Sequence, residues 1–389
     1  MNWWRFRNAL QLVHLWVGLA LAIPFVIIGL TGSLIIAEDW YTELSAPSAP
    51  ARGPMRPLAE IVAAAEKVAP PGWPVNAVGM PTHVGAAAAV QLGLPPGRRP
   101  PAQRNVQGLT VYIDPVSLKL LGSEERRRQG KLNQDLRSMH IALMVPQYYG
   151  VQIVGLLGLT MVLFGVTGLI LWWPRKGQWR SAFWIKRGAR GFRLNRDLHS
   201  VVGFWSLIVF LIICISGVDL AFPVTFQSAF GRILPLKNTL TTASVDPKTA
   251  AAIRDKTALS PDDAALVAMS SISHARVVQV QLPPSRDGVY MVTMVPRLVG
   301  NTAPQISTFI GPGPEILDVV DPRNYSAGKQ ILVWLRVLHY GQGLGDVWRV
   351  LAFLSGLLPL LFGITGFSMW WLKRTRRQSI PSGLPQPAE

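Results

Sequence analysis

Four stretches of the chain are apolar over about the width of a bilayer. Leu15–Ala37, Val151–Trp173 and Val350–Leu372 each run 23 residues without a charge, and Val201–Val218 runs 18. About 20 apolar residues at a 1.5 Å rise cross a hydrocarbon core of roughly 30 Å. The pattern therefore predicts four membrane-spanning helices. The two long segments that separate span one from two and span three from four have soluble patterning. In the first, Pro57–Val68 reads as a helix, Gly108–Gly122 as strand–turn–strand around Asp114-Pro115, and Gly93–Arg104 as a Pro/Gly/Arg-rich loop. In the second, Ser260 reads as the N-cap of a helix over Pro261–Met269. Arg276–Leu282 and Val289–Val295 alternate as strands, the latter after an Asp-Gly turn. Each segment is a small α+β module, too short for an ordinary large catalytic domain.

The halves of the chain repeat one another. Span one carries His14-x-x-x-Gly18 and reaches Thr31-Gly32; span three carries His199-x-x-x-Gly203 and reaches Ser216-Gly217. Span two ends Phe164-Gly-Val-Thr-Gly168 before Trp172-Trp173, and span four ends Phe362-Gly-Ile-Thr-Gly366 before Trp370-Trp371. Leu136-Arg-Ser-Met-His140 precedes span two, and Leu335-Arg-Val-Leu-His339 precedes span four. This is an internal duplication, span–module–span twice in the same orientation, hence a parallel repeat about an axis along the membrane normal. The expected fold is an α-helical membrane protein with four transmembrane helices and two outer α+β modules. Its segments are an N-terminus (1–14), TM1 (15–37), module 1 (38–149), TM2 (150–173), a basic loop (174–198), TM3 (199–220), module 2 (221–346), TM4 (347–372) and a tail (373–389). Because span one has a repeat partner, it is read as a retained helix and not as a cleaved leader.

Net charge changes the picture through its placement. Of the +17, the N-terminus, the basic loop and the tail hold +12, from fourteen basic residues against Asp197 and Glu389. Basic residues that flank spans mark the cytoplasmic side, which puts both modules outside, in the periplasm of a Gram-negative cell. Such a distribution does not stripe a soluble face, so it excludes nucleic acid as the partner and makes the lipid bilayer the primary one. Charged residues are only 15% of the chain and mean hydropathy is +0.28, against about 25% charged in soluble domains. The single cysteine, Cys214, excludes an internal disulfide, a zinc-finger cage, an iron–sulfur cluster and C-x-x-C-H haem attachment.

Histidine carries the remaining chemistry. The topology places His14 and His199 at the inner side and His140 and His339 at the outer side, one from each half at each level. His83 and His274 have no such equivalents and read as surface or turn residues. Two facing imidazoles suit the axial positions of a haem iron, whose other ligands come from the porphyrin. Gly18 and Gly203, at i+4 from their histidines, lie on the same helix face and give clearance for a flat macrocycle. Arg137, Arg196 and Arg336 stand at i−3 of His140, His199 and His339 as partners for haem propionates; His14 has Gln11 there, with Arg7 as a substitute at i−7. Thr31-Gly32 and Ser216-Gly217 are read as packing and backbone-bonding features, and Asp219 as a satisfied polar residue near the outer end of its span, with a proton site as the alternative. The expected cofactors are two bis-histidine haems b, with no catalytic residue beyond them. A loop of about 25 residues holds no nucleotide fold, so the electron donor is a separate cytoplasmic reductant or a quinol.

The arrangement of spans, modules and histidines, with G-[VI]-T-G-x-x-x-W-W closing spans two and four, resembles the PepSY-associated transmembrane family over nearly the whole chain. The stretch Thr110–Gly122 is similar to that family's strand and D-P-x-T-G turn, with Ser117-Leu118 in place of Thr-Gly. The resemblance implies PepSY-like periplasmic modules on a bacterial inner-membrane protein. It further implies a ferric-siderophore reductase with two haems, passing electrons outward to a periplasmic Fe(III)–siderophore or other ferric chelate. The alternative from the residues is a haem-free membrane binding or transport protein for a chelate, peptide or protein, with the histidines as polar anchors.

Overall fold

The computed structural model of the protein describes residues 3–378 apart from 82, 96–105, 128–130, 239–248, 250–258, 273, 286–287, 297–303 and 314. Most of the Pro/Gly/Arg-rich loop and Asp287 of the Asp-Gly turn lie outside the described residues.

Four long helices form the bundle: α1 (Trp3–Leu44), α4 (Gln147–Trp172), α6 (Gly191–Ala221) and α10 (Gly345–Gln378). All four are long and apolar enough to cross a membrane. Three of them overrun their apolar cores, because polar ends continue the helix. In α6, for example, the added first turns carry Arg193 and Asp197, an i,i+4 ion pair at 2.9 Å. Between the spans lie α2 (Leu58–Val68), α3 (Lys131–Ala142), the short α5 (Trp179–Ala182), α7 (Pro223–Phe230), α8 (Pro261–Ser271) and α9 (Ala327–His339). The bundle closes as a ring in which α1 packs on α10 and α4, and α6 packs on α4 and α10. Small residues set the closest crossings. A Cβ on Gly29 would fall 2.3 Å from the Gly356 carbonyl, and one on Gly155 would fall 2.3 Å from the ring of Phe222. Without a hydrophobic drive between helices in lipid, such close backbone approach supplies the packing.

The two outer segments do not stand apart as separate modules. They share one antiparallel sheet of eight strands, in the order β4-β3-β2-β1-β5-β6-β7-β8. The first segment contributes β1 (Val75–Gly79), β2 (Ala88–Gly93), β3 (Val106–Ile113) and β4 (Leu120–Arg127); the second contributes β5 (Ala275–Gln281), β6 (Tyr290–Pro296), β7 (Ile306–Ile310) and β8 (Ile316–Val320). The join is β1 against β5, with Val78 opposite Val280. Alternating inward residues, among them Val78, Val90, Val111, Val280, Val292 and Ile306, are fully buried beneath α2 and α8. Ser260 caps α8 in a reciprocal capping box with Asp263. Its neighbour Asp262 reaches across the join, and its carboxylate accepts the Leu58 and Ala59 N–H groups at 2.7 and 2.8 Å. The first turn of α2 is thus capped by the other half.

Asp114 anchors the β3–β4 turn. It is buried, and its carboxylate accepts N–H groups from Val116, Ser117 and Ala51 at 2.9, 3.1 and 3.2 Å. Burial alone would raise its pKa; the three backbone donors outweigh it and hold the carboxyl below its ordinary value of 3.8. Leu118, at the glycine position of the related turn, has a left-handed φ of 59°. Because the folded pKa of Asp114 is depressed, its contribution is complete above the unfolded value near 3.8 and is lost as pH falls through the folded value. The expected outcome is that the sheet loses stability below about pH 4, measured by acid titration of thermal unfolding. Asp114→Asn should flatten that acid limb; an unchanged limb in the variant would assign it to other carboxylates.

Candidate cofactor site: two histidine pairs

The structure brings the four repeated histidines together as two pairs, each with one member from either half. His14 on α1 and His199 on α6 stand with ring centroids 6.5 Å apart; His140 on α3 and His339 on α9 stand 6.2 Å apart. Imidazole–metal bonds run about 2.0 Å, so two rings sharing one metal have centroids about 6 Å apart. All four rings are half-buried. His83 and His274 are exposed and belong to neither pair.

The hydrogen bonds fix each ring and its tautomer. His14 Nδ1 meets Thr167 Oγ1 at 2.9 Å, and His199 Nδ1 meets Thr365 Oγ1 at 2.9 Å. Both threonines spend their hydroxyl proton on the carbonyl one turn back, Leu163 and Leu361, each at 2.8 Å. The threonine oxygens can then only accept, so both histidines donate from Nδ1. His140 Nδ1 faces the Ile28 carbonyl at 2.9 Å, and His339 Nδ1 faces the Ile213 carbonyl at 3.1 Å and Ser216 Oγ at 2.9 Å. A carbonyl accepts only, so these rings also donate from Nδ1. In every case the lone pair is left on Nε2, the arrangement of a metal-binding imidazole oriented by a supporting bond. Neutral rings are the ligating form.

The two levels are well separated. Ile28 lies fourteen residues along α1 from His14, and Ile213 fourteen along α6 from His199, which is roughly 21 Å at 1.5 Å per residue. Phenylalanines fill part of the interval, with matching contacts in the two halves. Phe164 lies 4.5 Å from His14 and 5.8 Å from Phe25, and Phe362 lies 5.0 Å from His199 and 6.5 Å from Phe210, centroid to centroid.

The glycines divide by level. A Cβ on Gly18 would meet the Phe164 ring at 3.6 Å and one on Gly203 the Phe362 ring at 3.8 Å, ordinary contacts that do not themselves demand glycine. A Cβ on Gly32 would lie 2.8 Å from His140 Cε1 and one on Gly217 3.3 Å from His339 Cε1. The Thr31 and Ser216 hydroxyls donate to the Ile27 and Ile212 carbonyls at 2.6 and 2.7 Å, the expected backbone bonding, and Gly32 and Gly217 in addition seat the outer histidines. The arginines also engage the protein. Arg7 donates to the Leu171 carbonyl at 2.8 Å, Arg196 reaches Asp197 at 3.4 Å, and Arg336 pairs with Asp219 at 2.9 Å. Each of these bonds uses one of five guanidinium N–H donors. Arg137 sits one turn before His140. Asp219 is only half satisfied, since Oδ1 is buried without a hydrogen bond.

Among the described residues no cluster of three or more His, Cys, Asp or Glu could hold a bare metal ion. Two imidazoles per centre fit a metal whose remaining ligands belong to a planar macrocycle. The chain is, then, a four-helix membrane protein with an extramembrane sheet and histidine pairs at two depths. It belongs to the family described as PepSY-associated TM region, which matches residues 11–373. The comparison with curated proteins finds no match.

Proposed function

We propose that this protein is a di-haem b-type cytochrome of the bacterial inner membrane that reduces a ferric chelate, foremost an Fe(III)–siderophore, on the periplasmic side. The observation that carries the reading is the pair of ring separations, 6.5 and 6.2 Å, with all four Nδ1 atoms engaged. Haem would supply one-electron transfer between Fe(III) and Fe(II). His14 and His199 would hold the inner group, His140 and His339 the outer one, with Thr167, Thr365, Ile28, Ile213 and Ser216 fixing the rings. The basic flanks support an inner pair toward the cytoplasm, where a separate reductant or a quinol would give the electron. At the outer level a ferric chelate accepts that electron, and its hard-oxygen ligands hold the resulting Fe(II) less tightly. Two levels divide a crossing of roughly 30 Å that a single centre would leave long.

Purified in detergent, the protein should contain two haems b per chain. It should show a sharp Soret band that shifts on dithionite and split α/β bands typical of six-coordinate iron. Folded protein that takes up no haem when supplied with it would overturn the proposal and favour a haem-free binding or transport role.

A further inference from the structure

The two outer ligands are not held alike. On α6, Ser216 and Asp219 stand one turn apart on one face. They grip two residues of α9 that are also one turn apart: Ser216 meets His339 Nδ1 at 2.9 Å, and Asp219 Oδ2 pairs with Arg336 Nε at 2.9 Å. Asp219 is fully buried, and its Oδ1 has no hydrogen bond. A carboxylate sealed in a spanning helix with an unsatisfied oxygen is costly, and its retention points to a task beyond packing. The repeat sharpens the point. The spacing that relates His14 to His199 and Thr31 to Ser216 relates Leu34 to Asp219. Leu34 is half-exposed, where Asp219 is sealed. Glu38, a turn further out on α1, bonds Asn133, which is two turns before His140 on α3.

We propose that Asp219 is a positioning residue that sets the reduction potential of the outer centre by neutralising Arg336 beside His339. The inference rests on the haem reading above. Without the aspartate, a guanidinium charge would stand one helical turn from an axial ligand. A nearby cation opposes the ferric form and favours the ferrous one. A unit charge about 10 Å away at an effective dielectric of 20 changes an equilibrium by about tenfold. By cancelling that charge, the buried carboxylate keeps the outer potential low enough for the electron to move on to a ferric chelate.

The test is potentiometric titration of the full-length, haem-loaded protein, with the outer wave assigned as the one missing in His339→Ala. Asp219→Asn should raise the reduced-to-oxidised ratio of that wave about tenfold at a fixed applied potential, about 60 mV for a one-electron couple. Removing the stranded cation as well, in Asp219→Asn/Arg336→Gln, should bring the ratio back to within about twofold of the parent. Asp219→Glu, which keeps the charge, should leave the wave near its parental position even where the Asn variant assembles poorly. The inner wave should not move in any of them. An outer wave unmoved in Asp219→Asn, or a double variant displaced as far as the single one, overturns the proposal. Absence of haem from the parent protein would instead remove the reading on which it rests.

Discussion

If the proposed di-haem assignment holds, alanine in place of His339 is expected to leave one haem per chain in place of two. The His339 ring is one of two imidazoles 6.2 Å apart, and among the described residues no third metal-binding side chain joins them. Its loss would therefore leave a single imidazole for that centre and a hole against Gly217 and Ser216. The same outcome is expected for His140→Ala. His14→Ala and His199→Ala should each remove the other centre, since the two levels are roughly 21 Å apart along the helices and share no ligand. Haem per chain, measured as the pyridine haemochrome, should fall to about one in each single variant and to about none when one histidine from each level is replaced. Redox titration then separates the classes, because the outer variants should lose one wave and the inner variants the other. Added imidazole should restore the missing centre in His339→Ala, as a small ligand can enter the cavity the side chain left. Four variants with unchanged haem content, or four that all lose everything, would contradict the assignment by level.

Much of this was legible because the chain states it twice. Span lengths, the pairing of His14 with His199 and of His140 with His339, and the side on which the basic residues gather follow from repeat and charge. What escaped lies in contacts between distant segments. Thr167 and Thr365 occupy the same place in G-[VI]-T-G in the two halves, which was visible, but their role depends on a partner 153 and 166 residues away. The available signal was chemical: a threonine deep in an apolar helix gives its proton to the preceding turn and offers only an acceptor. The shared sheet escaped for a different reason. Its join is β1 against β5, and β1 and the neighbouring β2, VNAVG and AAVQLG, are rich in small residues, so tertiary pairing decides them. Asp262 lies in the first turn of its own helix, and nothing local shows that its carboxylate caps the other half. Asp219 read as satisfied because sequence shows charge without showing which oxygen finds a donor.

The glycines offer the second large effect, and they separate protein packing from cofactor clearance. Gly32→Ala is expected to abolish or strongly weaken the outer centre while sparing the inner one. Its new methyl would lie 2.8 Å from His140 Cε1, well inside the optimal carbon–carbon separation of about 3.5–4.0 Å. The ring has little room to retreat, because Nδ1 is tied to the Ile28 carbonyl on the preceding turn of α1 at 2.9 Å. Shifting it breaks that bond or swings Nε2 off axis, and a ligand must be held to about 0.5 Å. Disturbing such supporting contacts typically lowers metal affinity by about 10–100-fold, and Gly32→Ala belongs at the upper end. Gly217→Ala meets His339 at 3.3 Å, so a few tenths of an ångström suffice and the loss should stay below about tenfold. Gly18→Ala is the informative contrast. Its methyl meets only Phe164, at 3.6 Å, and alanine in a helix gains about 0.5–1 kcal/mol over glycine. The haem-free protein should therefore be as stable as the parent or more so. If the inner centre is nevertheless lost in titrations of haem into that protein, the obstruction is between the methyl and the macrocycle, as expected for a glycine that clears room for a porphyrin. Inner-centre affinity equal to the parent's would return Gly18 to simple helix packing, and unchanged outer-centre affinity in Gly32→Ala would refute the seat assigned to His140.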